Sequence, residues 1–355
     1  APASTFKSIS IVAAAAAGYN MNSLYDCPAQ LKVGNQIFKN FETKSQGHIN
    51  MTEAIAVSCD TIWYQIAFDQ WLKDGGLNPH LSVNDYFFNA ARSFNIGKKT
   101  GIDLPGEASG RLPDHQWKLD YYKQNKDFYC NFTQKAKKSD LTPYLIAIAK
   151  ENCTDGYIIR AGDAVNFSIG QGDTLLTPLQ MTVVYAAVAN GGTLWKPYVA
   201  RAIVDSQGKV IKEFAPEIVG KTEQTPSDTE FLHKALRSVA TSGTAAGVFA
   251  GFPVQVAGKT GTGQDLGRNK NGSAKDDTSW FASFAPADSP QYAVVMVVSQ
   301  GGFGASVSAP GVKDIYTTLF GVVGGKIDPT KSAFPNGIPN TLPKLDVKNA
   351  KLVTK

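Results

Sequence analysis

The apolar and polar positions along the chain predict helices first and strands later. Residues 8–17 are alanine-rich and free of glycine and proline, so they predict a helix behind Pro2. Ile55, Ala56, Ile62, Ile66 and Ala67 recur at helical spacing. They predict a second helix over 52–72, N-capped by Thr52 and followed by a polar end around Pro79. Residues 101–113 are turn-rich. The stretch 114–162 is polar, aromatic and lysine-rich, and reads as an insertion or lid rather than core. Residues 179–189 predict a buried helix stopped by Asn190-Gly191-Gly192. Beyond it, 198–204 and 209–214 flank Asp205-Ser206-Gln207-Gly208, a hairpin signal. Residues 254–262, 278–285 and 292–299 predict three sheet strands, and 312–322 a closing helix. This order predicts an α+β fold, an antiparallel sheet flanked by helices, rather than a doubly wound sheet.

Composition narrows the function classes. With 355 residues, 43% hydrophobic and 18% charged, the chain is long enough for a large core. The apolar stretch 9–17 ends at Gly18, well short of the roughly twenty residues of a membrane span. No basic stretch precedes it in the manner of a signal peptide. Most of the net charge of +5 sits in residues 326–355, which hold six lysines against two aspartates. Pro329, Pro335, Pro339 and Pro343 there predict a solvated tail without regular structure. The body carries no basic patch interleaved with aromatics, so a nucleic-acid partner is not expected. Histidines 48, 80, 115 and 233 are scattered and the cysteines form no Cys-x-x-Cys pair, so no metal site is expected. Cys130 and Cys153 bracket a polar segment and are either joined, in an oxidising compartment, or two reduced thiols.

Three short patterns could carry chemistry. In Ser4-Thr5-Phe6-Lys7 a helix puts the lysine amine on the face of the serine hydroxyl. A lysine whose charged form is disfavoured can take the serine proton. In Ser58-Cys59-Asp60, polar groups interrupt an apolar stretch, within the helix or at a break in it, and need partners if buried. In Lys259-Thr260-Gly261-Thr262, at the end of a strand, a cation and hydroxyls suit a carboxylate, and the glycines leave an edge open to an extended ligand. Each alone has an ordinary structural explanation: a chance spacing, a serine bonded to its own helix, a turn with a solvated lysine. The three occur in the order Ser-x-x-Lys, Ser-Asp-Asn-like, Lys-Thr-Gly, the set that marks penicillin-binding proteins and class A β-lactamases.

With these motifs the chain resembles the transpeptidase domain of penicillin-binding proteins, especially the monofunctional class B elongation type. Residues 101–113, Ser168-Ile169-Gly170-Gln171-Gly172, Thr177-Pro178-Leu179-Gln180, Ala189-Asn190-Gly191-Gly192 and Ser279-Trp280-Phe281 share that likeness. It covers roughly residues 1–325, with 114–162 an insertion and 326–355 a tail. The resemblance implies a penicillin-binding transpeptidase or serine β-lactamase-like fold, no cofactor, and an acyl-enzyme on Ser4. It implies Lys7 as the serine's base and Ser58 as a proton relay. Lys259 would lower the Lys7 pKa and, with Thr260, Gly261 and Thr262, hold the substrate carboxylate. The implied ligands are peptidoglycan stem peptides and β-lactam antibiotics. The implied partner is a membrane glycosyltransferase of the elongation machinery. The implied location is the outer face of the cytoplasmic membrane, anchored by an N-terminal segment absent from this chain.

Two departures stand out. Asp60 replaces the usual asparagine; it can accept from Lys7 but cannot donate to a substrate amide, and it raises the amine's pKa. Asp60 is therefore expected to orient Lys7. Only three residues precede Ser4, where the family has sheet strands and a membrane-anchored domain. An N-terminal fragment of the same protein is therefore expected to supply the missing strands, which would otherwise leave an exposed edge. Three other activities use the same acyl-serine: a β-lactamase, a β-lactam sensor and a D,D-carboxypeptidase. The absence of a Glu-x-x-Leu-Asn segment between the second and third motifs disfavours a class A β-lactamase.

Overall fold

A computed structural model describes residues 1–79, 83–265, 267–269, 272–339, 342, 344–346 and 351–353. His80 lies outside them. A 3-10 turn, Ala3–Phe6, runs into α1 (Lys7–Ala16), which is buried along nearly its whole length. Strands β1 (Leu24–Cys27) and β4 (Gly47–Asn50) pair antiparallel, and the hairpin β2 (Gln30–Val33) and β3 (Gln36–Lys39) is inserted between them.

The helix expected over 52–72 is two helices, α2 (Met51–Ala56) and α3 (Thr61–Lys73). The N-cap is Asn50, not Thr52: its side chain accepts from the Glu53 amide while Glu53 reaches back to the Asn50 amide. The break falls on Val57–Asp60, where Ser58 adopts a left-handed backbone with φ of 59°. A non-glycine residue held there stores strain, which is often found at functional sites.

Helix α4 (Tyr86–Ser93) packs on α1. The polar stretch 114–162 is a helical hairpin, α5 (His115–Cys130) and α7 (Pro143–Asp155), with short α6 (Phe132–Lys135) between them. The Cys130–Cys153 disulfide joins its two long helices. Helix α8 (Ala161–Ser168) returns the chain to the core, and α9 (Pro178–Ala189) carries a full capping box from Thr177 and Gln180. Strands β5 (Thr193–Trp195) and β8 (Ile218–Lys221) pair around the foreseen hairpin, β6 (Ala202–Val204) and β7 (Val210–Glu213).

Helix α10 (Pro226–Thr241) was not expected from the strand-like reading of this half. Its signals are present nonetheless: Thr225 and Asp228 form a capping box, and Leu232, Ala235, Leu236, Val239 and Ala240 make a buried face. Short α11 (Ala246–Phe249) follows.

The main sheet is antiparallel with order β11-β10-β9: β9 (Ala257–Gly263), β10 (Thr278–Ala285) and β11 (Tyr292–Val298). Strand β9 starts later than the expected residue 254. Helix α12 (Ser308–Phe320) covers the face bearing Ser279 and Ser283, whose hydroxyls meet Ser308 Oγ at 2.8 Å and the Tyr316 hydroxyl at 3.0 Å. On α10, His233 packs against Phe284, ring centres 4.8 Å apart. Every residue of β11 is half-buried, and β10 is its only partner strand among the described residues.

The prolines of residues 326–355 predict no regular structure, yet strands occur there: β13 (Lys326–Ile327), paired with β12 (Val322–Val323) just before it, and the pair β14 (Lys344–Asp346) and β15 (Lys351–Val353). Pro329, Pro335 and Pro339 fall outside these strands, where no ladder donor is required. No helix among the described residues is long and apolar enough to cross a membrane.

Candidate active site

All three motifs converge. Ser4, Ser58, Asp60, Thr260 and Thr262 line one cleft together with Asn40, Phe41, Gln171, Thr244 and Phe303. None of residues 114–162 lines it.

The 3-10 turn carrying Ser4 is seated by its neighbours. The Ala3 amide donates to the Gly170 carbonyl at 2.9 Å, and the Tyr185 hydroxyl donates to the Thr5 carbonyl at 3.0 Å. Gly170 has φ of +70°, and a Cβ there would lie 2.4 Å from Phe6 Cβ, so only glycine fits. Gly261 serves the other side: a Cβ there would sit 3.0 Å from the Pro2 carbonyl and 3.1 Å from Thr5. Small residues thus let the serine turn lie against β9, next to Thr262. Lys7 follows on α1, one turn beyond Ser4.

Lys7 is fully buried, and its amine is caged by the break between α2 and α3. Nζ donates to Asp60 Oδ1 at 2.6 Å, the Ser58 carbonyl at 2.9 Å, the Cys59 carbonyl at 3.0 Å and Ser58 Oγ at 3.3 Å. An ammonium has only three hydrogens for these four acceptors. Of these four oxygens Ser58 Oγ alone carries a proton, so its bond can reverse, the hydroxyl donating to Nζ once the amine is neutral. The Asp60 contact is the shortest of the four.

Burial holds Lys7 below its ordinary lysine range, and the Asp60 carboxylate partly offsets this. Lys259, also fully buried, is pushed well below that range, by burial first and then by the charge on Lys7, with Asp60 opposing. Repulsion between two ammonium groups acts on both, so a charge on either amine disfavours a charge on the other. Lys259 Nζ donates to the Thr260 carbonyl at 3.2 Å. Thr260 Oγ1 pairs with Thr244 Oγ1 at 2.7 Å, and Gln171 Nε2 donates to the Thr262 carbonyl at 3.2 Å.

Two features of the site were missed in the sequence. Asn40 is buried, and its Oδ1 accepts from the amides of Asp60 (2.9 Å) and Thr61 (3.1 Å) while Nδ2 donates to the carbonyls of Pro28 and Lys44. It therefore clamps the start of α3, where no side chain of the helix itself caps these donors. The second is a Cys27–Cys59 disulfide, which ties the middle residue of Ser58-Cys59-Asp60 to β1. Four cysteines allow three pairings, and spacing alone does not choose among them. With Cys130–Cys153 also joined, no described cysteine is free. Among the described residues no group of His, Cys, Asp and Glu could hold a metal ion.

A helix-borne Ser-x-x-Lys, a serine on a helix break facing that lysine, and a Lys-Thr-Gly strand closing the same cleft define the active-site-serine, penicillin-interacting class of proteins. Within it, residues 1–317 match the penicillin binding protein transpeptidase domain, and the chain belongs to that family. It is 29% identical over 279 residues to the peptidoglycan D,D-transpeptidase MrdA of Acinetobacter baumannii, covering 76% of this chain and 34% of that protein. The match to MrdA of Escherichia coli is 27% identical over 320 residues, covering 86% and 43%. The chain thus spans less than half the length of these relatives. Among solved structures, Pseudomonas aeruginosa PBP2 shares the fold with a TM-score of 0.69 at 24% identity, over 94% of this chain and 63% of that one.

Proposed function

We propose that this chain carries the D,D-transpeptidase activity of a class B, elongation-type peptidoglycan synthase. The observation that carries the reading is the buried Lys7 amine, held by Ser58 and Asp60 one helical turn from Ser4. Ser4 Oγ attacks the carbonyl carbon of the penultimate D-alanine of a stem peptide. Its proton passes to neutral Lys7 and, through the reversible Ser58 contact, to the departing D-alanine nitrogen as the peptide bond breaks. An amine of a neighbouring stem peptide then attacks the acyl ester, giving a new amide and returning the proton to Ser4. Amides of Ser4 and Thr262 would form the oxyanion hole, where one donor is typically worth about 10²–10³ in rate. Lys259, Thr260 and Thr262 would hold the substrate's terminal carboxylate, with Gly261 keeping the strand edge open.

β-Lactams acylate the same serine in this scheme. The similarity to MrdA supports a role in elongation and cell shape. A solved structure titled as a peptidoglycan synthase complex that coordinates polymerization and crosslinking contains a chain 26% identical to this one, with a TM-score of 0.67 over 91% of it. That likeness supports a membrane glycosyltransferase as partner, and hence a working place at the outer face of the cytoplasmic membrane, with an N-terminal anchoring segment. The second edge of β11, unpaired among the described residues, is where strands from such a segment would add. In this reading residues 1–325 are the catalytic domain, 114–162 its insertion and 326–355 a tail.

Intact-mass spectrometry after penicillin treatment tests the acylation, with Ser4→Ala alongside. A stable single adduct absent from the variant is expected. Rapid loss of the adduct with consumption of the drug would instead indicate a β-lactamase. Release of D-alanine from a stem pentapeptide, with product joined to an added amine, separates transpeptidation from carboxypeptidase action and from a non-turnover sensor.

A further inference from the structure

A second cleft lies between the β2–β3 hairpin and the α5–α7 hairpin, with a volume of about 430 Å³. This is within the range of roughly 300–1,000 Å³ typical of ligand sites. Its floor is aromatic. Trp117 and Tyr121 stack with ring centres 5.0 Å apart, and Arg111 lies 5.0 Å from the Trp117 ring. Tyr121 is 38% exposed, and its hydroxyl is 3.3 Å from that of Tyr129, a further lining residue. Aromatic rings with polar tips suit a ligand that is apolar on its faces and polar at its rim.

Charge decides the ligand class. Each of the five charged side chains in the lining already has a partner of opposite sign. Lys118 meets Asp163 at 2.7 Å, Arg160 meets Glu151 at 2.7 Å, and Asp173 faces Arg111 at 3.7 Å. The cleft offers no uncompensated charge to an ionic ligand, but it does offer hydroxyls and the amides of Gln36, Asn152 and Asn166. A neutral, hydroxyl- and amide-rich ring compound matches this set, and a charged stem peptide does not.

Position links the two clefts. Asn166 and Asp173 line the aromatic cleft, Gln171 lines the catalytic one, and the Gln171 amide bonds the Asn166 carbonyl at 2.9 Å. One short segment is thus the shared wall. We propose that the aromatic cleft binds the N-acetylated amino-sugar strand that bears the stem peptides, and that the insertion 114–162 exists to build this subsite. The inference rests on the transpeptidase reading for its ligand.

Chitotetraose, a neutral β-1,4 oligomer of N-acetylglucosamine, is the probe, titrated into the full chain by saturation-transfer NMR and calorimetry. Saturable binding is expected, weakened by about tenfold or more in Tyr121→Ala and Trp117→Ala, and by less than about threefold in Trp117→Phe. Penicillin acylation of Ser4 is expected to stay within about twofold in all three, which shows the variants folded and tests the catalytic reading separately. The subsite would be overturned by no saturable binding up to about 10 mM, by wild-type affinity in Tyr121→Ala and Trp117→Ala, or by displacement of the sugar by penicillin. Displacement by a sugar-free stem peptide would overturn it too, assigning the cleft to peptide. If chitotetraose binds as expected but no penicillin adduct forms, the subsite stands and the catalytic reading fails.

Discussion

The two disulfides close loops of similar size, yet only one touches the lysine cage, so removing each in turn separates stability from catalytic geometry. Cys27–Cys59 spans 32 residues and Cys130–Cys153 spans 23. Loop-closure entropy gives about 3.7 and about 3.4 kcal/mol respectively, a difference too small to distinguish them. Their surroundings differ sharply. Cys27 and Cys59 are buried, and the Cys59 carbonyl accepts a 3.0 Å bond from Lys7, between the neighbours that supply the other three acceptors. Cys130 and Cys153 join α5 and α7, and neither lines the cleft that holds Ser4. Cys27→Ala/Cys59→Ala and Cys130→Ala/Cys153→Ala should therefore lower the urea stability by comparable amounts. The second-order rate of Ser4 acylation by a fluorescent penicillin should fall about 10–100-fold in the first pair, since displacements near 1 Å cost that much. It should change less than about twofold in the second pair. Rates are measured where circular dichroism shows both variants folded. Wild-type acylation in a folded Cys27→Ala/Cys59→Ala protein would refute the claim that this disulfide positions the cage.

Three further outcomes test the electrostatics. Asp60→Asn removes the one group that raises the Lys7 pKa, so the acid limb of the acylation pH profile should move to lower pH; an unchanged profile would remove any special role for the carboxylate. Lys7 and Lys259 both have folded-state pKa values below their unfolded ones, so their stabilising contribution is complete above about pH 10.5 and is lost as pH falls. Urea midpoints should accordingly rise from neutral pH toward pH 10, less steeply in Lys259→Met, which should also be at least as stable as wild type at pH 7 while binding carboxylate-bearing substrates poorly; an equal slope would count against a depressed Lys259. Asn40→Ala leaves the Asp60 and Thr61 amides without their acceptor, and should cost about 2–4 kcal/mol in chemical denaturation and slow acylation; a loss below about 0.5 kcal/mol would show that other groups hold the turn.

The sequence readily shows which residues carry chemistry, but not what holds them. Ser4, Lys7, Ser58 and Lys259 stand in motifs whose order is informative; Ser4 and Ser58 line one cleft, and Lys7 and Lys259 are buried beside residues that line it. Strands β10 and β11 and helix α9 are legible because long apolar runs end at clear turn residues. Helix α10 is hard to read in the sequence because its apolar face is narrow among charged residues, and its Thr225–Asp228 box is a short-range signal between neighbouring strand patterns. The split of the helix at 57–60 is not legible locally because Val57 continues the apolar run, whereas the turn around left-handed Ser58 is held by long-range partners, Lys7 on the Ser58 carbonyl and Asn40 on the Asp60 amide. Asn40 and Cys27 lie in hairpin segments with no motif of their own. Their roles depend on pairings across 20 and 32 residues, which no local pattern encodes.

The same long-range assembly sets the charge state of the site. One carboxylate, Asp60, faces two fully buried lysines. If both lysines were protonated, a positive charge would remain uncompensated in a desolvated setting, which is costly. Asp60 makes its 2.6 Å bond to Lys7, so the deficit falls on Lys259, the lysine whose pKa is displaced further. A ligand carboxylate placed beside Lys259 would supply the missing negative charge and draw a proton onto that amine. Protonated Lys259 would then oppose the charge on Lys7, favouring its neutral form when the serine proton must leave. In the proposed reaction, binding the substrate's carboxylate would thus itself help to activate the base. Substrates lacking that carboxylate should lose acylation rate, and not merely affinity.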